Sequence, residues 1–363
     1  MVTSPSSDPA RGGAPAVPVA QDRARPRRRP SSAYGTGAPA QQPDRLLRGA
    51  GTASQLALGG LLALAPLIGA AGLGGSPAFL VAGLLLGLPH GAVDHLVPAW
   101  LSARAALLVV YTAVAGAGLV AFRAAPDLAL VGFLVVSVVH FGSADVAFHA
   151  ERDRRPARVA VAATLAYGGP PVVVPLALWR DQVDPVLAAV SPRVPGLIAV
   201  EVRALALATV LCAVVLTVSR DLRAGRTRDA VEPVLLVALF GTVPPALAIG
   251  AYFALWHSLR HVARLLRHDP RNTADLATGR VGPPLRRFTR QAAAPTVLAV
   301  VTLIALVTWP GHRADPLPAT FAVLAALTLP HAALVAWTDR RGSGTPCRAD
   351  GGLLSRRDIR RRS

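Results

Sequence analysis

Apolar blocks of roughly 17–25 residues recur along this chain, each the length an α-helix needs to cross a hydrocarbon core of about 30 Å. They give ten candidate spans, at 54–74, 78–99, 105–122, 128–148, 158–178, 197–218, 230–243, 246–267, 293–310 and 317–338. The seventh is short and runs into Pro244-Pro245, which suggests a half-helix or a re-entrant piece. Charged residues lie between the blocks and make up only 16% of the chain, while 52% is apolar. Backbone inside lipid must satisfy its own hydrogen bonds, so the pattern predicts an all-α, polytopic membrane bundle of about 8–10 transmembrane helices.

The flanks read differently. Residues 1–52 are rich in Pro, Gly, Ser, Ala and Arg, with too few large apolar side chains to build a core, and are expected to form a disordered tail. The cluster Arg27-Arg28-Arg29 is not followed directly by an apolar stretch, and no convincing cleavage site appears, so a signal peptide is not expected. Residues 53–338 form the membrane domain, and 339–363 a second basic tail.

All 38 basic residues are arginine, and the net charge is +18. Threading the spans from a cytoplasmic N-terminus puts Arg104, Arg152, Arg154, Arg155, Arg158, Arg220, Arg223, Arg226 and Arg228 inside, with the Arg264–Arg290 and Arg340–Arg362 segments. Only Arg123, Arg180, Arg193, Arg203 and Arg313 fall outside. That bias predicts a cell-membrane protein with both termini cytoplasmic, its arginines facing anionic lipid rather than nucleic acid. The absence of lysine excludes a retinal Schiff base within this chain. Cys212 lies in a span and Cys347 in the basic tail, which indicates neither a disulfide nor a thiolate metal site.

Nine histidines carry the chemical signal. His149, His268 and His312 fall at span ends or in loops, where solvation is the expectation; His90, His95, His140, His257, His261 and His331 fall within spans. With helix starts at Pro77, Asp127, Pro245 and Pro318, His90, His140 and His331 each come 13 residues in, and His257 and His261 come 12 and 16 in. At 1.5 Å per residue these five imidazoles lie roughly 18–24 Å below one set of helix ends. Separate spans thus deliver them to one layer. His257 and His261, at i and i+4, share a helix face, a spacing suited to two metal ligands. The layer reads as a metal site, or else as a proton relay or a structural polar network.

Asp94 and Asp145 follow His90 and His140 by four and five residues. Each can accept the second N–H of a ligating imidazole, or serve as a buried ion-pair partner, for instance of Arg260. Phe141, Tyr252 and Trp256 cluster around the histidines and either line an apolar ligand site or simply pack. Gly91 and Gly142 permit close helix approach.

At these motifs the chain resembles the Brp/Blh family of membrane β-carotene 15,15′-dioxygenases. The matching segments are Gly87-Leu88-Pro89-His90-Gly91-Ala92-Val93-Asp94-His95, His140-Phe141-Gly142-Ser143-Ala144-Asp145, Trp256-His257-Ser258-Leu259-Arg260-His261 and Leu329-Pro330-His331. They span roughly residues 78–338 in the right order, while both tails and the first span lie outside the resemblance.

The resemblance implies a non-haem Fe(II) enzyme, with 53–338 as its catalytic domain, that splits β-carotene at the central double bond with O2 to give two all-trans-retinal. It implies His90, His140, His257 and His261 as iron ligands. It leaves Asp94, His95, Asp145, His331, Phe141, Tyr252 and Trp256 behind the ligands or lining the pocket. The substrate would arrive through membrane lipid, and a rhodopsin would be the retinal acceptor. The competing readings are an intramembrane His/Asp ion or proton transporter, a carotenoid-processing enzyme with another substrate, and an assembly factor for a rhodopsin. A membrane di-iron desaturase is disfavoured, since the chain has no adjacent histidines.

Overall fold

A computed structural model of the chain describes residues 44–72, 74–94, 104–155, 160–308 and 317–342. Among these residues all regular structure is helical: α1 (Arg45–Ala70), α2 (Pro77–Gly87), α3 (Pro89–Ala92), α4 (Arg104–Ala124), α5 (Pro126–Arg152), α6 (Val161–Gly168), α7 (Pro170–Leu178), α8 (Arg180–Val190), α9 (Val194–Leu197), α10 (Val200–Arg223), α11 (Thr227–Thr242), α12 (Pro245–Tyr252), α13 (Leu259–His268), α14 (Thr273–Ala277), α15 (Gly282–Thr308) and α16 (Leu317–Gly342). A π-helical turn, Phe253–Ser258, joins α12 to α13.

The described parts of all ten candidate spans are largely helical, but only some lie on single long helices. Among the described residues, six helices are long and apolar enough to cross a membrane; the α6–α7 pair, bent by 57°, would make a seventh. The rest are shorter or composite. Pro89 follows the end of α2, Val243 and Pro244 separate α11 from α12, and the π turn interrupts the run from α12 to α13. Helix α1 begins at Arg45, inside the stretch assigned to the tail, because the Asp44 carboxylate accepts from the backbone N–H groups of Leu46 and Leu47.

The outward faces are apolar. Leu56, Val109, Leu205 and Leu298 are each about two-thirds exposed, as lipid-facing side chains would be. Inside, Tyr167, Leu236, Leu239, Phe240, Tyr252 and Trp256 form the main apolar core.

Two glycine crossings set the helix spacing. A Cβ on Gly83 of α2 would overlap the Gly250 backbone of α12, and one on Gly142 of α5 would overlap the Thr164 carbonyl of α6. Gly91 is looser: a Cβ there would only meet His331 Nδ1 at ordinary van der Waals distance, 3.7 Å.

The beginning of α1 and the ends of α5, α13 and α16 meet on one face. There Glu151 accepts from Arg264 (2.7 Å) and His268 (3.0 Å), Arg264 also pairs with Asp339, and Arg267 pairs with Asp44 (2.8 Å). Threading the spans from the N-terminus requires these four ends to share a side.

Candidate metal centre

Five imidazoles converge within the bundle. His90 stands on α3, His140 in the middle of α5, His257 in the π turn, His261 on α13 and His331 on α16 directly after Pro330, and all five are buried. The His90 ring lies 5.1, 5.5 and 5.0 Å from the rings of His257, His261 and His331. His140 is 5.0 Å from His257 and 5.1 Å from His331, and His261 is 5.3 Å from His331. The i, i+4 pair His257–His261 is nearly parallel and widest, at 6.3 Å. Candidate ligand atoms of His90, His257 and His331 lie within 4.8 Å of one another.

The nitrogens behave unlike ordinary buried polar atoms. His90 Nδ1 lies 2.6 Å from the Gly87 carbonyl and 3.0 Å from Ser258 Oγ. A carbonyl only accepts, so Nδ1 carries the hydrogen and Nε2 the lone pair. By contrast His140 Nε2, His257 Nε2, His261 Nδ1 and His331 Nε2 are buried without a hydrogen-bond partner. Each such orphan costs about 1–3 kcal/mol unless something binds it.

A metal ion satisfies this geometry. With metal–nitrogen bonds of about 2.1 Å, imidazole centroids sit about 4.6 Å apart when adjacent and about 6.5 Å apart when opposite. The observed 5.0–6.3 Å lies within that range. The residues present therefore fit a metal held by neutral nitrogen donors.

The two aspartates separate. Asp94 Oδ2 accepts from His331 Nδ1 (2.7 Å) and from the Tyr111 hydroxyl (3.2 Å), so it serves an imidazole. Asp145 turns to Trp256 Nε1 (3.0 Å) and Arg260 Nη1 (2.8 Å). It takes the ion-pair role.

Arg260 also reaches Glu232 (2.8 Å), which accepts in addition from His149 (2.8 Å) and Gln55 (2.7 Å). The guanidinium lies 3.5 Å over the Trp256 ring. His149, expected to be solvated at a span end, is instead buried, because Glu232 of α11 reaches it at the end of α5. A cavity of about 10 Å³, room for one water, lies among Ala144, Asp145, His257, Arg260, His261 and Arg264.

Phe141 packs edge-on against His257 (4.9 Å) and Tyr252 (5.4 Å), while Trp256 is engaged with Asp145 and Arg260. His95 and His312 lie outside the described residues. Sequence reading missed Glu232, Gln55, Tyr111 and Ser258. An acidic residue inside an apolar run was the available signal for Glu232; the other three are ordinary in composition.

Fold and site together define a multi-pass helical membrane protein with a buried, all-imidazole site suited to a metal ion. The β-carotene 15,15′-dioxygenase family model matches residues 81–339, and the chain belongs to that family. It is 34% identical over 289 residues to a probable β-carotene 15,15′-dioxygenase Blh of Halobacterium salinarum, covering 71% of this chain and 82% of that protein. It is 29% identical over 185 residues to a β-carotene 15,15′-dioxygenase of an uncultured marine bacterium, covering 49% and 65%. A probable β-carotene 15,15′-dioxygenase Brp of Halobacterium salinarum shares 56% identity over only 36 residues. No solved structure matches the chain.

Proposed function

We propose that this chain is a non-haem iron dioxygenase that cleaves β-carotene at its central 15,15′ double bond with O2, releasing two all-trans-retinal. The observation that carries this reading is the convergence of five buried imidazoles, four of which keep one ring nitrogen with no hydrogen-bond partner among the described residues. On this reading His90, His140, His257 and His261 are iron ligands. Bound Fe(II) would supply the one-electron chemistry that lets triplet O2 react with a closed-shell alkene.

The chain's own residues support that reaction in three ways. The imidazoles are neutral donors, and the nearby carboxylates Asp145 and Glu232 are occupied by Arg260 and so do not compete for the metal. Cleaving one C=C with one O2 yields two C=O groups, so the balance needs no reductant and no proton donor. A dry apolar surround suits it. Phe141, Tyr252 and Phe253, packed beside the rings, offer an apolar wall to a hydrocarbon that carries no hydrogen-bonding group.

The substrate would enter laterally from the bilayer, and retinal would leave the same way, to a rhodopsin made by the same cell. The protein would lie in the cell membrane with both termini cytoplasmic, 53–338 acting as the catalytic domain between basic tails. The test is expression in a bacterial host that accumulates β-carotene, with retinal measured by chromatography beside His90→Ala and His257→Ala. Retinal that appears with the wild type and vanishes in both variants supports the assignment. Intact β-carotene beside well-expressed, iron-loaded protein defeats it for this substrate.

A further inference from the structure

We infer that His331 is a further metal ligand, and that Asp94, braced by Tyr111, is the positioning residue that sets its tautomer; this rests on the metal-centre reading above. His331 Nδ1 lies 2.7 Å from Asp94 Oδ2, and a carboxylate only accepts, so the hydrogen sits on Nδ1. The lone pair is left on Nε2, which is buried and has no hydrogen-bond partner. Its neighbours are other imidazoles: the rings of His90, His140 and His261 lie 5.0–5.3 Å away.

His90 shows the same tautomer, with Nδ1–H tied to the Gly87 carbonyl and the lone pair left on Nε2. His331 also belongs to the three histidines whose candidate ligand atoms all lie within 4.8 Å of one another. A purely structural His331 would need an acceptor or donor for Nε2, and the described residues supply none.

The arrangement ties three elements together. Asp94 follows α3, Tyr111 stands on α4 and His331 on α16, and the Tyr111 hydroxyl donates to the same carboxylate oxygen, Oδ2, at 3.2 Å. The segment from His90 to Asp94 therefore serves the centre twice, once through its own imidazole and once through that of His331. A carboxylate behind a ligating histidine raises its basicity and holds its ring, and losing one typically weakens metal binding about 10–100-fold.

The experiment uses purified full-length protein, stripped of metal, reloaded anaerobically with Fe(II) and challenged with a chromophoric chelator. His331→Ala and Asp94→Asn should each lose iron at least tenfold more readily than wild type, and Tyr111→Phe should lose it by a smaller factor. His331→Gly should regain iron when imidazole is added but not when pyrrole is, since pyrrole fills the same space without offering a lone pair. Asp94→Asn preserves shape, so it decides the matter even where a His331 variant does not fold.

Wild-type iron retention in His331→Ala and in Asp94→Asn, beside loss in His257→Ala, would overturn the inference and leave the metal centre standing. Rescue by pyrrole as effective as by imidazole would also overturn it. Wild-type protein that takes up no iron would instead sink the metal reading itself.

Discussion

Two polar layers lie next to each other in this bundle, built from the same helices, and they are wired in opposite ways. Helix α5 gives His140 to one and Asp145, His149 and Arg152 to the other; the π turn and α13 give His257 and His261 to one and Arg260 and Arg264 to the other. In the charged layer every carboxylate has partners: Asp145 holds Trp256 and Arg260, Glu232 holds Arg260, His149 and Gln55, and Asp229 holds Arg152 at 2.6 Å. In the histidine layer four imidazole nitrogens are left without one. Buried charge is tolerated only when paired, so the first layer is a structural joint in which every carboxylate is matched, with Arg152 Nη1 and Arg260 Nε and Nη2 left over on the cation side. Neutral imidazoles tolerate burial, so the second can stay open for a ligand.

Substitutions in the two layers should therefore fail differently. The largest effect is expected for His257→Ala, with retinal formation in the β-carotene host falling to background while the purified protein keeps its helical circular dichroism. Arg260→Met should do the reverse: it strands Asp145 and Glu232 in the interior at a cost of about 3–5 kcal/mol, read as low yield and a depressed thermal midpoint. If His257→Ala unfolds the protein as badly as Arg260→Met, the histidine layer is structural and the contrast collapses.

A sharper comparison sets the two aspartates against each other. Asp145→Asn should cost about 1–3 kcal/mol of stability and leave iron retention near wild type, whereas Asp94→Asn should release iron readily. Equal iron loss in both would mean that the layers act as one network.

The smallest effect concerns the charged surface beyond α13. Arg287 and Arg280 hydrogen-bond Asp275 and hold its carboxyl below its ordinary value of 3.8. A depressed value stabilises the fold above pH 3.8, and the contribution is lost as pH falls further, through the folded value. Asp275→Asn should thus lower the thermal midpoint slightly at neutral pH, with the difference from wild type shrinking toward pH 3. A difference that persists there would point to packing instead.

Much of this was legible in the sequence. The helix starts at Pro77 and Pro245 coincide with those of α2 and α12, and those near Asp127 and Pro318 lie within one residue of α5 and α16. Counting 1.5 Å per residue from them placed five histidines at one depth, and the structure brings those five together. The π turn that carries His257 was not legible, because it depends on an i→i+5 pairing that no residue type in the segment announces. Nor was the burial of His149, whose partner Glu232 is 83 residues away. Asp94 and Asp145 looked equivalent because each follows a histidine by about one turn, yet one serves an imidazole and the other an arginine.

What the sequence determined by itself was therefore whatever depends on distance along one helix: the membrane-length apolar blocks, the helix starts, the shared depth of the histidines and the pairing of His257 with His261. Those follow from fixed rise and periodicity, which are local properties of the chain. What only the tertiary structure decided was which neighbour each buried polar group meets. That depends on how helices far apart in sequence approach and rotate, and the contacts at Gly83–Gly250 and Gly142–Thr164 hold those helices closer than any other side chain would allow. Hydrogen bonds are made at about 3 Å, and helix periodicity says nothing at that scale about a neighbour.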